Sequence, residues 1–270
     1  MKAVFELKHY RDKKEMFRHI VANKTDVIRM KTAEPKESNV VTLSAGRQFA
    51  NKAEEGSGQW LYKNDIEAGV LERTIVANTY NWMDSHDDVH LDGIFSKSIG
   101  ERATRVPHLH DHIFQLDARV GYTTGLFEKA VNWRTLGIDM EGATTALVAE
   151  SKIMKALNPT VYEDYLNDRV DQHSVKMAYI GIKLAINDKD FEEEYKVWQS
   201  VIDKLGNAEA ADKQGYFWAV YEAKLFEYSA VLLGSNELTP TLTNKFQPGK
   251  TTEEPRKALD LDKLLRAYNV

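Results

Sequence analysis

A serine at the start of an alternating run of residues constrains the fold of this chain more than any other feature. The run covers residues 171–184 and reads Asp-Gln-His-Ser-Val-Lys-Met-Ala-Tyr-Ile-Gly-Ile-Lys-Leu. Alternation with a period of two, rich in β-branched and aromatic residues, predicts a strand with one face in a core. Ser174 lies where such a strand begins. A serine held there becomes a useful nucleophile only if a base and an orienting group lie nearby.

Two other segments offer those groups. Residues 106–112 read Val-Pro-His-Leu-His-Asp-His and hold the candidate bases. Residues 222–231 read Glu-Ala-Lys-Leu-Phe-Glu-Tyr-Ser-Ala-Val and hold the candidate orienting carboxylates. A catalytic site is predicted only if these two segments lie next to the strand that carries Ser174.

Composition narrows the functional classes. The 270 residues are 43% hydrophobic and 29% charged, which suits one large or two small domains with a sizeable core. A net charge of −5 counts against nucleic acid as a direct partner. The absence of cysteine excludes disulfides, thiolate zinc sites and a cysteine nucleophile. The sequence has no apolar run of bilayer length and no signal-peptide pattern, so we expect a cytoplasmic protein with no membrane partner.

The pattern along the chain predicts three regions. Residues 1–70 are polar and mixed, and they form either a mobile N-terminal arm or a loosely packed β-rich extension. Residues 71–240 form the predicted catalytic domain, and residues 241–270 a flexible linker (residues 245–256) with a C-terminal tail.

The pattern also predicts strands and helices. Strands are predicted over residues 70–80, 115–124, 126–131, 171–184, 216–220 and 223–233. A helical turn is predicted at residues 94–99, and helices are predicted over residues 144–157, 161–168, 189–205 and 259–268. Many strands with a few helices favour a β-barrel or a mixed α+β core.

The crowded histidines allow a metal site as an alternative. If residues 108–112 form a strand, then His108, His110 and His112 share one face, and His86 lies a little upstream. Three imidazoles suit zinc, and the order loosely resembles His-x-His-x-Asp-His of metallo-hydrolases, although it is one residue short. A purely structural role for these histidines and for Ser174 is a further alternative. The chain has no Gly-x-Ser-x-Gly, phosphate loop or dinucleotide fingerprint, so no cofactor is predicted.

Six short motifs, in order, carry a family resemblance. They lie in residues 74–84, in residues 88–95, at Val106 with Leu109 and His112, at Val120-Gly121, in residues 172–177 and in residues 227–231. In this order and spacing the chain resembles the prohead (capsid maturation) serine proteases of tailed phages, which are relatives of the herpesvirus assemblins. The resemblance covers residues 70–240.

The resemblance implies a fold, a reaction and a setting. The fold is α+β, with an assemblin-like β-barrel core and surrounding helices. The reaction is peptide-bond cleavage, with Ser174 as nucleophile, His112 as general base and Glu227 as the group that orients the imidazole, without metal or cofactor. The substrates are the scaffold protein and the major capsid protein, cleaved inside the immature capsid in the host cytoplasm. Self-cleavage and a homodimer are expected by analogy.

Two departures from the family pattern keep alternatives open. Lys176 stands where the family usually has a glycine, and residues 232–236 keep the asparagine of the last motif but lose its proline. The departure at Lys176 motivates a second hypothesis, a catalytically inactive scaffold or capsid-interaction protein on the same fold. His110, two residues before His112, leaves the identity of the base open at this point.

Overall fold

A computed structural model describes residues 10–33 and 68–242, which form an α+β fold. This part of the chain contains six α-helices: α1 (Lys13–Ala22), α2 (Lys24–Ala33), α3 (Ser96–Arg102), α4 (Pro159–Leu166), α5 (Glu192–Val201) and α6 (Ala208–Gln214). Its eight strands are β1 (Val70–Thr79), β2 (Asp88–His90), β3 (His108–His110), β4 (Arg119–Asn132), β5 (Ala143–Met154), β6 (His173–Ile186), β7 (Tyr216–Ala230) and β8 (Thr241–Leu242). Short 3-10 turns lie at Ala103–Arg105, Leu116–Ala118, Trp133–Leu136 and Ile202–Lys204. The predicted α+β class is confirmed.

The eight strands form one mixed sheet in which β7 is central. Their order is β2-β7-β3-β4-β5-β1-β8, and β6 pairs with the other edge of β7. The pairs of β7 with β2 and β3 are parallel, whereas its pair with β6 is antiparallel. This topology places β3 and β6 on either side of the C-terminal half of β7.

The sheet is not closed into a barrel, so that part of the prediction is wrong. The outer edge of β6 meets a side chain at His173: its backbone N–H donates to Thr239 Oγ1 at 3.0 Å, and that hydroxyl donates to the His173 carbonyl at 2.7 Å. Backbone groups bonded in this way are satisfied without a further strand. Thr239, between β7 and β8, therefore satisfies the outer edge of β6 at His173, and no ladder joins β6 to β1 among the described strands.

The main core lies beneath the sheet face that carries Val175, Met177 and Tyr179 of β6. All three are buried, as the alternation predicted, and they pack in one cluster with residues of β1, β5, β7, α3 and α4. The alternate residues of β6, including Ser174 and Lys176, belong to the opposite, outer face.

The N-terminal helices pack on the sheet. Asp12 caps α1, because its carboxylate accepts from the Glu15 N–H at 2.8 Å. Apolar residues of the two helices join Leu184, Ile186, Tyr216 and Trp218 in a second cluster, and Lys31 forms a buried ion pair with Asp88. Lys13–Ala22 and Lys24–Ala33 are thus helices packed on the sheet, and neither the mobile arm nor the β-rich extension describes them.

Three other expectations needed correction. The helix predicted over residues 144–157 is strand β5, because pairing with β1 and β4 on both sides overrides the helix propensity of its Ala, Leu, Glu and Lys residues. Residues 115–131 and 216–233 were each predicted as two strands, but each region holds one long strand, β4 or β7. The helical turn near residues 94–99 and the helices near residues 161–168 and 189–205 are confirmed, as α3, α4 and α5, with shifted or shorter bounds.

The linker at residues 245–256 and the helix at residues 259–268 lie outside the described residues, and the three predicted domain ranges stay predictions. No helix within residues 10–33 and 68–242 is long and apolar enough to cross a membrane.

Candidate active site

The ladder between β6 and β7 places Ser174 beside the segment that carries Glu227. Ser174 pairs with Ser229, and Lys176 pairs with Glu227. Residues directly opposite in an antiparallel pair share a face, with Cβ atoms about 4.5–5.5 Å apart. Ser174, Lys176, Glu227 and Ser229 therefore form a group on the outer face of two neighbouring strands.

A tight turn after β3 brings His112 to this group. The Asp111 N–H donates to the Ala230 carbonyl at 2.9 Å, and the Ile113 N–H donates to the His110 carbonyl at 3.1 Å. Asp111 and His112 have φ values of 50° and 55°, in the left-handed region. Positive φ at both central residues of a turn is rare without glycine and strains the backbone. Such strain is often found at functional sites. The turn takes His112 out of the alternation of β3.

A short hydrogen bond joins the His112 imidazole to the Glu227 carboxylate. The distance from His112 Nδ1 to Glu227 Oε1 is 2.6 Å, and both side chains are fully buried. A carboxylate only accepts hydrogen bonds, so the geometry assigns the proton of the neutral imidazole to Nδ1. Nε2 is then the acceptor, which is the tautomer that a general base needs.

The Ser229 hydroxyl links the same two residues. It donates to Glu227 Oε2 at 2.6 Å and accepts from the His112 N–H at 3.2 Å. Both carboxylate oxygens of Glu227 are therefore hydrogen-bonded, one to the imidazole and one to the hydroxyl. A buried carboxylate needs such partners to remain ionised.

His112 Nε2 is buried and has no hydrogen-bond partner within the described part of the chain. The hydrogen bond between the Ser174 hydroxyl and this nitrogen is consequently not formed in this structure. Catalytic hydrogen bonds are often long before a substrate binds. An unsatisfied buried acceptor costs about 1–3 kcal/mol, and a base that must later take a proton is one reason to keep it.

The three residues that the sequence singled out, His112, Ser174 and Glu227, thus lie on one face around β7, although their catalytic roles stay predictions. His110 is half-buried, and its Nδ1 lies 3.3 Å from Asp111 Oδ2, away from Glu227. The geometry therefore favours His112 over His110 as the base.

The expectation that His108, His110 and His112 share a face is wrong, because β3 ends at His110 and the turn follows. His108 lies on the inner face, where its Nδ1 is 2.8 Å from Ser151 Oγ and its Nε2 is 3.1 Å from Tyr165 Oη. Among the residues of the two described ranges, no group of three or more His, Cys, Asp or Glu side chains is placed to hold a metal ion.

The inner face behind the candidate site holds a second histidine, His173. Its Nε2 lies 2.8 Å from Tyr165 Oη, and its Nδ1 lies 2.8 Å from the Thr239 carbonyl. Burial lowers the pKa of His173 to about 4, against a smaller opposing effect of the bond to Thr239, and burial also holds the pKa of His108 well below its ordinary value. Both imidazoles are neutral at physiological pH.

Sequence reasoning assigned no role to Ser229 or to this inner-face cluster. A signal for Ser229 was available, since residues two apart on a strand share a face and Ser229 is two residues from Glu227. No comparable signal exists for the inner face, because Tyr165 comes from α4 and Ser151 from β5.

Exposed apolar side chains border the outer face. Lys176 Nζ lies 5.8 Å from the centre of the Phe114 ring, which places the His112 loop against β6. Phe114 is 64% exposed, and Leu232, just after β7, is 90% exposed. Gly234 lies close to β6, since a Cβ there would be 2.9 Å from the His173 carbonyl oxygen. The segments following His112 and β7 therefore flank Ser174.

Comparisons of this chain with models of protein families, with curated proteins and with solved structures find no match in any of the three.

Proposed function

We propose that this chain is a serine endopeptidase in which Ser174 is the nucleophile, His112 the general base and Glu227 the group that orients His112. One observation carries the proposal above the others: the buried bond from His112 Nδ1 to Glu227, with His112 Nε2 left without a hydrogen-bond partner among the described residues. Proton transfer from a serine requires a histidine that is held by a hydrogen bond at one ring nitrogen and can accept a proton at the other.

The proposed reaction follows from this arrangement. Ser174 Oγ attacks the carbonyl carbon of the scissile peptide bond, while His112 Nε2 takes the serine proton. Glu227 stabilises the resulting imidazolium. The C–N bond then breaks as the imidazolium gives its proton to the leaving amine. Water, deprotonated by His112, attacks the acyl-enzyme and releases the carboxylic acid with Ser174 restored.

The proposed substrates are the scaffold protein and the major capsid protein of a tailed phage, processed during prohead maturation. The order of the six motifs supports this assignment, and so does the gathering of the motif residues His112, Ser174 and Glu227 on one face. The kinship with assemblins, the homodimer, self-cleavage and a location inside the immature capsid in the host cytoplasm belong to the same proposal.

Co-expression with the capsid and scaffold proteins of the same phage tests the proposal. We expect shortened capsid and scaffold proteins by mass spectrometry with the unchanged chain, and full-length proteins with Ser174→Ala. The matched control is Ser200→Ala, which makes the same change at an exposed serine of α5. Processing that persists in Ser174→Ala would show that another group cleaves the bond.

Lys176 favours a second candidate, an inactive interaction protein on the same fold. Its side chain shares the outer face with Ser174, two residues away, and its Nζ lies 5.8 Å from the centre of the Phe114 ring. A bulky cation therefore lies beside the candidate nucleophile, at the position where the family usually has a glycine. Mass spectrometry of the purified chain separates the candidates, because an active enzyme that cleaves itself has shortened termini that the Ser174→Ala form lacks.

A further inference from the structure

We infer that Ser229 is a positioning residue that holds the base and its carboxylate in register with the nucleophile. The inference rests on the proposed function and adds a fourth side chain to the site. Ser229 is fully buried, its hydroxyl bonds to Glu227 and to the His112 N–H, and its backbone pairs with that of Ser174.

Three contacts support this role. The hydroxyl donates to Glu227 Oε2 at 2.6 Å and accepts from the His112 backbone N–H at 3.2 Å. The backbone of Ser229 pairs directly with that of Ser174 in the ladder of β6 and β7. One residue thus fixes the carboxylate, the strained turn and the strand position of the nucleophile.

The donor and acceptor roles of the hydroxyl are fixed by its partners. A backbone N–H can only donate and a carboxylate can only accept, so the single proton of Ser229 points at Glu227. Ser229 is therefore not an alternative nucleophile, since its proton is given to the carboxylate and not to His112 Nε2.

Removal of the hydroxyl has two expected consequences for the chemistry. The His112 turn loses an anchor, so the imidazole is held less accurately, and misplacement of about 1 Å lowers catalysis on the order of 100-fold. Glu227 also loses one of its two hydrogen-bond partners, so its interaction with the imidazole changes, and the pH dependence of the labelling reaction is expected to change with it. A residue that served only for packing would produce the loss of stability without the shift in the pH profile.

The test uses the full chain and a fluorophosphonate probe, which needs no known peptide. Ser174 Oγ forms a bond to phosphorus, fluoride leaves, and His112 takes the serine proton. We expect Ser229→Ala to label at Ser174 roughly 10- to 100-fold more slowly, with a pH–rate profile that differs from that of the unchanged chain. Ser229→Cys, nearly equal in size and a weak donor, should give an intermediate rate.

The matched control is Ser151→Ala. Ser151 is equally buried, and its hydroxyl bonds to His108 on the inner face. We expect its labelling rate per folded molecule and its pH profile to match those of the unchanged chain, even where thermal unfolding shows a similar loss of stability.

Each outcome decides a different question. Labelling of Ser229→Ala at the rate and pH profile of the unchanged chain overturns the role of Ser229 and leaves the proposed protease in place. If Ser229→Ala does not fold, a Ser229→Cys chain that labels at the full rate overturns it in the same way. An unchanged chain that is folded but not labelled at Ser174 overturns both the proposed function and this inference.

Discussion

Two histidine environments lie on opposite faces of the same strands, and they differ in how completely the imidazoles are hydrogen-bonded. On the inner face, both nitrogens of His108 and both nitrogens of His173 have partners. On the outer face, His112 is equally buried but has a partner at Nδ1 alone among the described residues. Burial and clustering therefore do not distinguish a structural histidine from a candidate base. An imidazole nitrogen without a hydrogen-bond partner among the described residues does.

The inner-face bonds form one directed chain. The Thr239 carbonyl only accepts, so His173 carries its proton on Nδ1 and accepts from Tyr165 at Nε2. Tyr165 has a single proton, so it accepts from His108 Nε2, and His108 Nδ1 accepts from Ser151. In this arrangement every donor has an acceptor, and each of the four imidazole nitrogens has a hydrogen-bond partner. The outer face, in contrast, has a place for one proton at His112 Nε2.

The largest expected difference between the two faces is catalytic. His112→Ala should slow fluorophosphonate labelling of Ser174 by about 10²- to 10⁴-fold, because the general base is lost. His108→Ala makes the same change four residues earlier, and it should lower stability while leaving the rate per folded molecule near that of the unchanged chain. Rates are measured by mass spectrometry at equal folded fractions. An equal loss of labelling rate in the two variants would contradict the different roles assigned to His112 and His108.

The next expected difference is in how the free energy of unfolding depends on pH. The pKa of His173 is about 4 in the folded chain and ordinarily 6.5, so between these values the unfolded chain binds more protons. The free energy of unfolding should therefore be highest above pH 6.5 and fall by on the order of 3 kcal/mol as the pH drops to about 4. His173→Asn keeps a donor for Thr239 but does not titrate.

Urea unfolding from pH 7 to pH 4 measures this effect as the difference in pH dependence between the unchanged chain and His173→Asn. The control is His110→Asn, which replaces a half-buried histidine outside the inner-face chain. Parallel curves for the unchanged chain and His173→Asn would show that His173 is not held neutral by burial.

A smaller effect is expected for Tyr165→Phe. The change removes the hydroxyl that lies between His108 and His173 and leaves one nitrogen of each imidazole without a partner. We expect a loss of about 1–3 kcal/mol in the free energy of unfolding, with no change in the labelling rate per folded molecule. Denaturant unfolding checks the first part. Tyr122→Phe is the control, because Tyr122 is an exposed tyrosine. A slower labelling rate in folded Tyr165→Phe would mean that the inner face also tunes the chemistry.

The smallest expected effect lies at the turn. Asp111 has a φ of 50°, so Asp111→Gly should stabilise the fold by up to about 1 kcal/mol, whereas Asp111→Ala should destabilise it by a similar amount. Thermal unfolding of the two variants gives the sign directly. Two shifts of the same sign would indicate that the Asp111 side chain, not the backbone, decides the stability of the turn.

The sequence predicted the residues of the candidate site better than their geometry. Alternation located β1 and β6, and motif order selected His112, Ser174 and Glu227. The left-handed turn at His112 was not predictable, because it depends on the parallel pairing of β3 with β7 across more than 100 residues of chain. The same long-range pairing explains the error at residues 144–157, where local helix propensity loses to two neighbouring strands.

The central place of β7 has a consequence for the timing of activity. Glu227 lies on β7, 115 residues after His112 in sequence. A ribosome therefore releases the base and the nucleophile before it releases the strand that organises them. Chains emerge from their N-terminus, and contacts at such separations form late. The growing polypeptide is thus expected to stay inert as a protease until β7 inserts between β3 and β6, which couples the first cleavage to completion of the sheet.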